Sequence, residues 1–301
     1  MVSEQEPIVM GHEASGIVDS VGPGVTTLKP GDRVAIEPGF SCRRCKQCKI
    51  GKYNLCPKMQ FAADPPGNHG TLSRLFKIPE DFAYAIPDSL SLQEAVLVEP
   101  LAVAVHGVRL AQLTSGQSVL VQGCGTIGLL AAATARAYGA KSVTISDISE
   151  AKLEFARQQG HAYATFQVDI TSTPEKEADK IKEAAGTKEG LDVVLECTGV
   201  ESSAQTGLHS LGPSGTFVQV GLGKPNQTLP LLAMCEKEIT LKTAFRYGPG
   251  DYEIALDLLG SGRVSVKSMI SNIVSFKEAH VAWDMTREGK GIKNLIEGVK
   301  D

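Results

Sequence analysis

Apolar and polar positions alternate differently in successive parts of this chain. Up to residue 98 the apolar residues come in short runs, as in PIVMGHEASGIVDSVGPGV and KPGDRVAIEPG, each cut off by Gly, Pro or Asp. Short runs between turn residues predict short strands, an irregular β domain. From Gln93 the stretch QEAVLVEPLAVAVHGVRLAQL is apolar at helical spacing and predicts a helix. After Ser118 the pattern becomes a strand-helix alternation. SVLVQG, SVTISD, ATFQV, LDVVLECTG, GTFVQVG and ITLKTAF read as six strands, with TIGLLAAATARAYG, SEAKLEFARQQG, PEKEADKIKEAAG and SSAQTGLHSLG as helices among them. Strands separated by helices predict an α/β fold with a doubly wound parallel sheet. Beyond residue 246, DYEIALDLLGSG and FKEAHVAWDMTREG read as helices and IKNLIEGV as a strand.

Composition narrows the function classes. A chain of 301 residues has room for two modest domains. Its net charge of −4 gives no basic field to attract nucleic acid or an anionic membrane. No apolar run reaches membrane-spanning length. Residues 1–7 are polar and acidic, unlike a secretory leader. Cys124, Cys197 and Cys235 lie scattered in apolar surroundings. This usage fits a reducing compartment, and the expected location is the cytoplasm.

The other four cysteines form one run, Cys42, Cys45, Cys48 and Cys56, in CRRCKQCKIGKYNLC. That spacing suits four thiolates around one tetrahedral Zn²⁺, a closed structural site. Two disulfides are the weaker alternative in a chain of this length. A nucleic-acid-binding finger is disfavoured, because the run of two Cys followed by two His is absent. Arg43, Arg44, Lys46, Lys49 and Lys52 among the thiols are read as cations offsetting the thiolate charge.

Gly123-Cys124-Gly125-Thr126-Ile127-Gly128 follows one predicted strand directly and opens the next helix. This is where a dinucleotide-binding turn must lie. Gly123 permits the turn, Gly125 lets a pyrophosphate approach the backbone, and Gly128 allows close helix packing, with the helix N-terminus donating N–H groups. Asp147 ends the next strand, where a carboxylate accepts from ribose hydroxyls and repels a 2′-phosphate, so the expected cofactor is NAD. Lys152 lies one turn further on and is a second candidate for the same ribose.

The segment Gly11-His12-Glu13-Ala14-Ser15-Gly16, continuing to Gly22, resembles the signature of the zinc-dependent medium-chain alcohol dehydrogenases. The four-cysteine lobe, GKYNLCP, FAADPPGNHGTL, VEPLAVAVH and FRYGPGDYE extend the resemblance to the polyol branch of that family, along the whole chain. It implies a GroES-like β domain over residues 1–98, truncated at its N-terminus, a Rossmann domain over 99–245, and a return to the first domain over 246–301. It also implies a catalytic zinc at His12, Glu13 and Glu99, with Glu99 also meeting substrate. Arg246 and Tyr247 would then contact the polyol hydroxyls. Val220, Gly221, Leu222 and Phe245 would line the nicotinamide end of NAD. The implied reaction is oxidation of a polyol secondary alcohol to a ketose by hydride transfer to NAD, with xylitol, sorbitol and L-arabinitol as candidate substrates. The implied assembly is a homo-oligomer. His69 and His106 are read as structural. In this family the first catalytic-zinc ligand is a cysteine upstream of the Gly-His-Glu motif, and no cysteine precedes His12 here. The alternative expectation is therefore a catalytically impaired relic that binds NAD and zinc.

Overall fold

The computed structural model describes residues 6–299. The chain divides into two compact units, Met1–Ala102 with Tyr247–Asp301, and Val103–Arg246.

In the first unit, short apolar runs form short strands. β1 (Ala14–Ile17), β2 (Arg33–Ile36) and, further along the chain, the β3–β4 hairpin (Gly39–Phe40 with Gln60–Phe61) precede β5 (Ala83–Ala85). β1, β2 and β5 make an antiparallel sheet with β2 in the middle. Val34, Ala35 and Ile36 of β2 are all buried, as a central strand requires. The cysteine run carries one short helix, α1 (Lys46–Lys49). Next come α2 (Leu92–Ala95) and α3 (Val98–Ala111), of which residues 98–102 belong to the first unit and 103–111 to the second.

The stretch expected as one helix from Gln93 is thus two. Ser91 caps α2 through a reciprocal hydrogen-bonded box with Glu94. Pro100 falls in the first turn of α3, where its missing N–H costs no helical hydrogen bond. The same proline could not continue a helix from α2, so the chain restarts there and sets Glu99 in the first turn of α3.

The second unit is built on six parallel strands: β6 (Ser118–Gln122), β7 (Ser142–Asp147), β8 (Ala164–Gln167), β9 (Leu191–Glu196), β10 (Leu211–Gln219) and β11 (Thr240–Thr243). Their order, β11-β10-β9-β6-β7-β8, is that of a doubly wound sheet, with the reversal beside β6. Helices α4 (Thr126–Ala137), α5 (Glu150–Gln158), α6 (Pro174–Ala184), α7 (Glu201–Ser210) and α8 (Leu231–Glu236) connect the strands. Leu120, Ile181, Leu191, Val194, Leu208 and Phe217 form one buried cluster of sheet and helix side chains.

The chain then rejoins the first unit through α9 (Asp251–Gly260). A parallel pair follows, β12 (Ile270–Val274) with β13 (Lys293–Ile296), joined by α10 (Ala279–Arg287). Tyr252 on α9 anchors this return, its hydroxyl donating to the Ile36 carbonyl at 2.9 Å. Among the described residues, no helix is long and apolar enough to cross a membrane.

Candidate active site

Two clusters of metal-binding side chains occur among the described residues, both in the first unit. In the cysteine lobe the sulfurs of Cys45 and Cys48 lie 3.4 Å apart, those of Cys45 and Cys56 3.9 Å, and those of Cys42 and Cys48 4.0 Å. A tetrahedral zinc with bonds of about 2.3 Å separates its sulfurs by about 3.8 Å, so the four thiols fit that ion. Backbone N–H groups of Arg44 and Cys45 pull the Cys42 thiol down to about 6, whereas burial pushes Cys48 up to about 11. Four thiols this close ionise together only with a cation among them.

The second cluster is His12, Glu13 and Glu99, whose ligand atoms lie within 4.8 Å of one another. Backbone pairing sets the position of His12. Gly70 N–H donates to Val9, Leu72 to Met10 and Thr71 to Gly11, all within 2.9 Å. The two segments lie so close that a Cβ on Gly70 would stand 2.3 Å from the Gly11 carbonyl oxygen. Gly11 itself takes the left-handed φ of +92° that turns the chain into His12. The His12 ring then packs on Phe61, centroids 5.5 Å apart. Glu13 leads into β1, and Glu99 is buried on α3. A zinc with bonds of about 2.1 Å holds its N and O donors about 3.4 Å apart, within side-chain rotation of this arrangement.

Two neighbours of this cluster add chemistry. Lys293, opening β13, donates from Nζ to Glu13 Oε2. Burial pulls its ammonium down to about 8. Tyr247 is 2% exposed and packs edge-on against Tyr252, ring centroids 5.0 Å apart. Burial and then the charge of Glu99 push that phenol well above its usual range.

The residues expected at the dinucleotide all lie in the second unit. Gly123, at φ +95°, makes the turn after β6. A Cβ on Gly128 would come within 1.8 Å of the Gly123 carbonyl oxygen, so glycine is obligatory there. A Cβ on Gly125 would meet nothing within 4 Å, which leaves open space over the N-terminus of α4. Asp147 holds the turn from β7, accepting from Cys124 N–H at 2.6 Å and Ser149 N–H at 2.8 Å. Cys124 Sγ donates to the Lys152 carbonyl at 3.2 Å, which places Lys152 beside the glycine turn. Burial pushes the Cys124 thiol up to about 12, so it stays protonated. Ile127 lies in the first turn of α4. Val220 and Gly221 follow β10, their N–H groups donating to the Glu196 carbonyl at 2.8 Å each. Leu222 and Phe245 are exposed. The Arg246 guanidinium lies over the Phe245 ring, 4.8 Å from its centroid, with a backbone φ of +57°. A non-glycine residue in that region stores strain, which commonly marks a functional position.

Three groups were not singled out from the sequence: Lys293, Glu37 and Glu196. Glu37 is 1% exposed and accepts from Tyr53 at 2.5 Å and Tyr84 at 2.8 Å. The reading of His69 as structural agrees with its Nδ1 accepting Val9 N–H at 3.1 Å.

The family model for the alcohol dehydrogenase GroES-like domain matches residues 1–88, and that for zinc-binding dehydrogenases matches 126–261. The chain is 50% identical over 297 residues to a probable D-xylulose reductase A of Aspergillus clavatus, covering 99% of this chain and 82% of that protein. It is similar in structure to an Escherichia coli oxidoreductase/dehydrogenase of unknown specificity, with a TM-score of 0.91 and 31% identity, covering 99% of this chain and 84% of that one. The galactitol-1-phosphate dehydrogenase of Escherichia coli superposes with a TM-score of 0.86 at 30% identity, covering 97% and 85% of the two chains. With its paired glycine turn, its two clusters of zinc donors and these relatives, the chain belongs to the zinc-binding alcohol dehydrogenases with a GroES-like domain, and it is an NAD-dependent oxidoreductase.

Proposed function

We propose that this enzyme oxidises a polyol secondary alcohol to a ketose, xylitol to D-xylulose foremost, with sorbitol and L-arabinitol as related substrates. The observation that carries the reading is the convergence of His12, Glu13 and Glu99 in a chain similar over nearly all its length to D-xylulose reductases. Bound zinc supplies a Lewis acid that makes a substrate hydroxyl easier to deprotonate, and bound NAD accepts the hydride. The chain's own residues do the rest. His12, Glu13 and Glu99 hold the metal, and Glu99 also accepts a hydrogen bond from the polyol. The buried Tyr247 phenol, close enough to Glu99 to feel its charge, offers its hydroxyl to a sugar hydroxyl. Arg246 offers a rigid fork of donors to further hydroxyls. Gly123, Gly125, Ile127 and Gly128 receive the pyrophosphate, and Asp147 with Lys152 the adenosine ribose. Val220, Gly221, Leu222 and Phe245 shape the nicotinamide end. Cys42, Cys45, Cys48 and Cys56 hold the structural zinc, leaving no open position for chemistry.

The relic reading is not favoured, because the metal donors come together and the relatives are named as reductases. We infer a cytoplasmic homo-oligomer. All seven cysteines are free thiols, which suits a reducing compartment. The edge strand β11, with Leu241 exposed on it and Leu231 and Leu232 exposed on the preceding helix α8, offers a surface for a second copy.

The test is product identification. Zinc-loaded protein with NAD is given xylitol, sorbitol and L-arabinitol in turn, and the ketose formed is identified. D-xylulose from xylitol at the highest kcat/KM is expected. Aldose products, or no oxidation of any of the three by protein that binds NADH, contradict the proposal.

A further inference from the structure

Glu196 closes β9 and is 0% exposed. Its carboxylate is satisfied by N–H and O–H donors alone. Oε1 accepts from the Thr198 N–H at 2.8 Å and from the Thr198 hydroxyl. Oε2 accepts from the Gly199 N–H at 2.8 Å and from Gln219 Nε2 at 2.5 Å. Its main-chain carbonyl accepts from Val220 and Gly221 N–H. One residue therefore gathers the loop after β9, 197–199, and the loop after β10, 220–222.

The two loops touch backbone to backbone. A Cβ on Gly199 would stand 2.4 Å from the Leu222 carbonyl oxygen, and one on Gly221 2.3 Å from the Gly199 nitrogen. Gln219 ties the same pair again, its Nε2 also donating to the Gly221 carbonyl at 2.8 Å. Gln227 adds a further tie, its Nε2 donating to the Gly199 carbonyl at 3.0 Å, and Glu196 is the residue on which donors from both loops converge. A buried carboxylate that loses its fixed donors is left with an unsatisfied charge, which resists any sliding of one loop on the other.

We propose that Glu196 is a positioning residue that sets the nicotinamide end of the cofactor cleft by locking these two loops together. The inference rests on the reading of 220–222 as the nicotinamide end. Cys197, beside it in sequence, takes no part as a nucleophile, because burial and the neighbouring Glu196 charge push its thiol far up.

The test compares two probes that share the adenosine diphosphate and ribose but differ in the nicotinamide. Affinities for NADH and for ADP-ribose are measured on the full chain and on Glu196→Gln, Gln219→Met and Thr198→Val. Gln at 196 turns an NH₂ toward donors and breaks the lock. Thr198 is exposed, so Thr198→Val removes one donor with little threat to folding. The expected result is a loss of about tenfold in NADH affinity for Glu196→Gln, and a smaller loss for the other two, with ADP-ribose binding unchanged. Faster amide hydrogen exchange at 197–199 and 220–222 in the cofactor-free variants is expected alongside. Equal losses for both probes, or NADH affinity unchanged in all three variants, overturn the proposal. If Glu196→Gln does not fold, the other two variants decide it on the same criterion. A wild-type chain that binds neither probe refutes the NAD reading itself, a separate outcome.

Discussion

Lys293 donates its ammonium proton to the carboxylate of Glu13, joining residues 280 apart in sequence. The contact puts a cation of the chain's own against one donor of the His12, Glu13 and Glu99 cluster. On the proposed assignment of the metal to this cluster, Lys293 competes with it for Glu13.

Lys293→Met leaves the half-buried Glu13 carboxylate, 23% exposed, without its counter-charge. Removing one partner of such a pair is destabilising, by less than the about 3–5 kcal/mol of a fully buried one, and a bound cation offsets the loss. The variant should melt below the parent without zinc and gain more from added zinc than the parent does. Chelator competition should show tighter metal binding. Weaker binding in Lys293→Met would show that the lysine supports the metal site instead.

Glu37 sets a pH dependence. Burial raises its carboxyl from 4.5 to about 7, against the opposing hydrogen bonds of Tyr53 and Tyr84, with Glu253 and Asp81 pushing the same way as burial. Below pH 4.5 the group is neutral in both states. Between 4.5 and about 7 the unfolded chain ionises first, so stability falls as pH rises, and above that the loss is constant. At about 1.4 kcal/mol per pH unit the whole loss is about 3 kcal/mol. Glu37→Gln should remove it, so urea unfolding at pH 5 and pH 8 should differ less in the variant than in the parent. The same difference in both would assign the dependence to other groups.

Removing one sulfur from the lobe should be read out in metal content. Cys48→Ser is expected to lose one zinc per chain and to melt at a lower temperature, because structural zinc contributes folding energy directly. Full zinc content in the variant would place that ion elsewhere.

Asp147 should control cofactor choice. Asp147→Ala removes the ribose acceptor and the charge that repels a 2′-phosphate, so NADH binding is expected to weaken about tenfold while NADPH binding weakens less or improves. Parallel losses for both nucleotides would restrict Asp147 to holding the Cys124 turn.

The parts of this molecule written in local pattern were legible in its sequence. The six strands of the parallel sheet, the glycine turn at Gly123–Gly128 and the four-cysteine lobe each depend on residues close together in the chain. His12, Glu13 and Glu99 carried a signal through the motif around Gly11 and through family resemblance, not through periodicity. Lys293, Glu37 and Glu196 were missed for one reason. Each is an ordinary charged residue at the edge of a short strand, and at least one partner that fixes its role comes from another segment, Glu13 for Lys293, Tyr84 for Glu37 and Gln219 for Glu196. The division between α2 and α3 was readable from Pro100 but was masked by an unbroken apolar run.

The most direct measurement is the rate of NADH formation from xylitol by zinc-loaded parent protein and by His12→Ala. The parent should form NADH steadily. His12→Ala should fall by at least about a hundredfold, the loss of a metal ligand needed for the chemical step, while keeping its cysteine-lobe zinc and its NADH affinity. Equal rates in the two proteins, or no NADH from the parent with any polyol, would contradict the assignment of the active site to His12, Glu13 and Glu99.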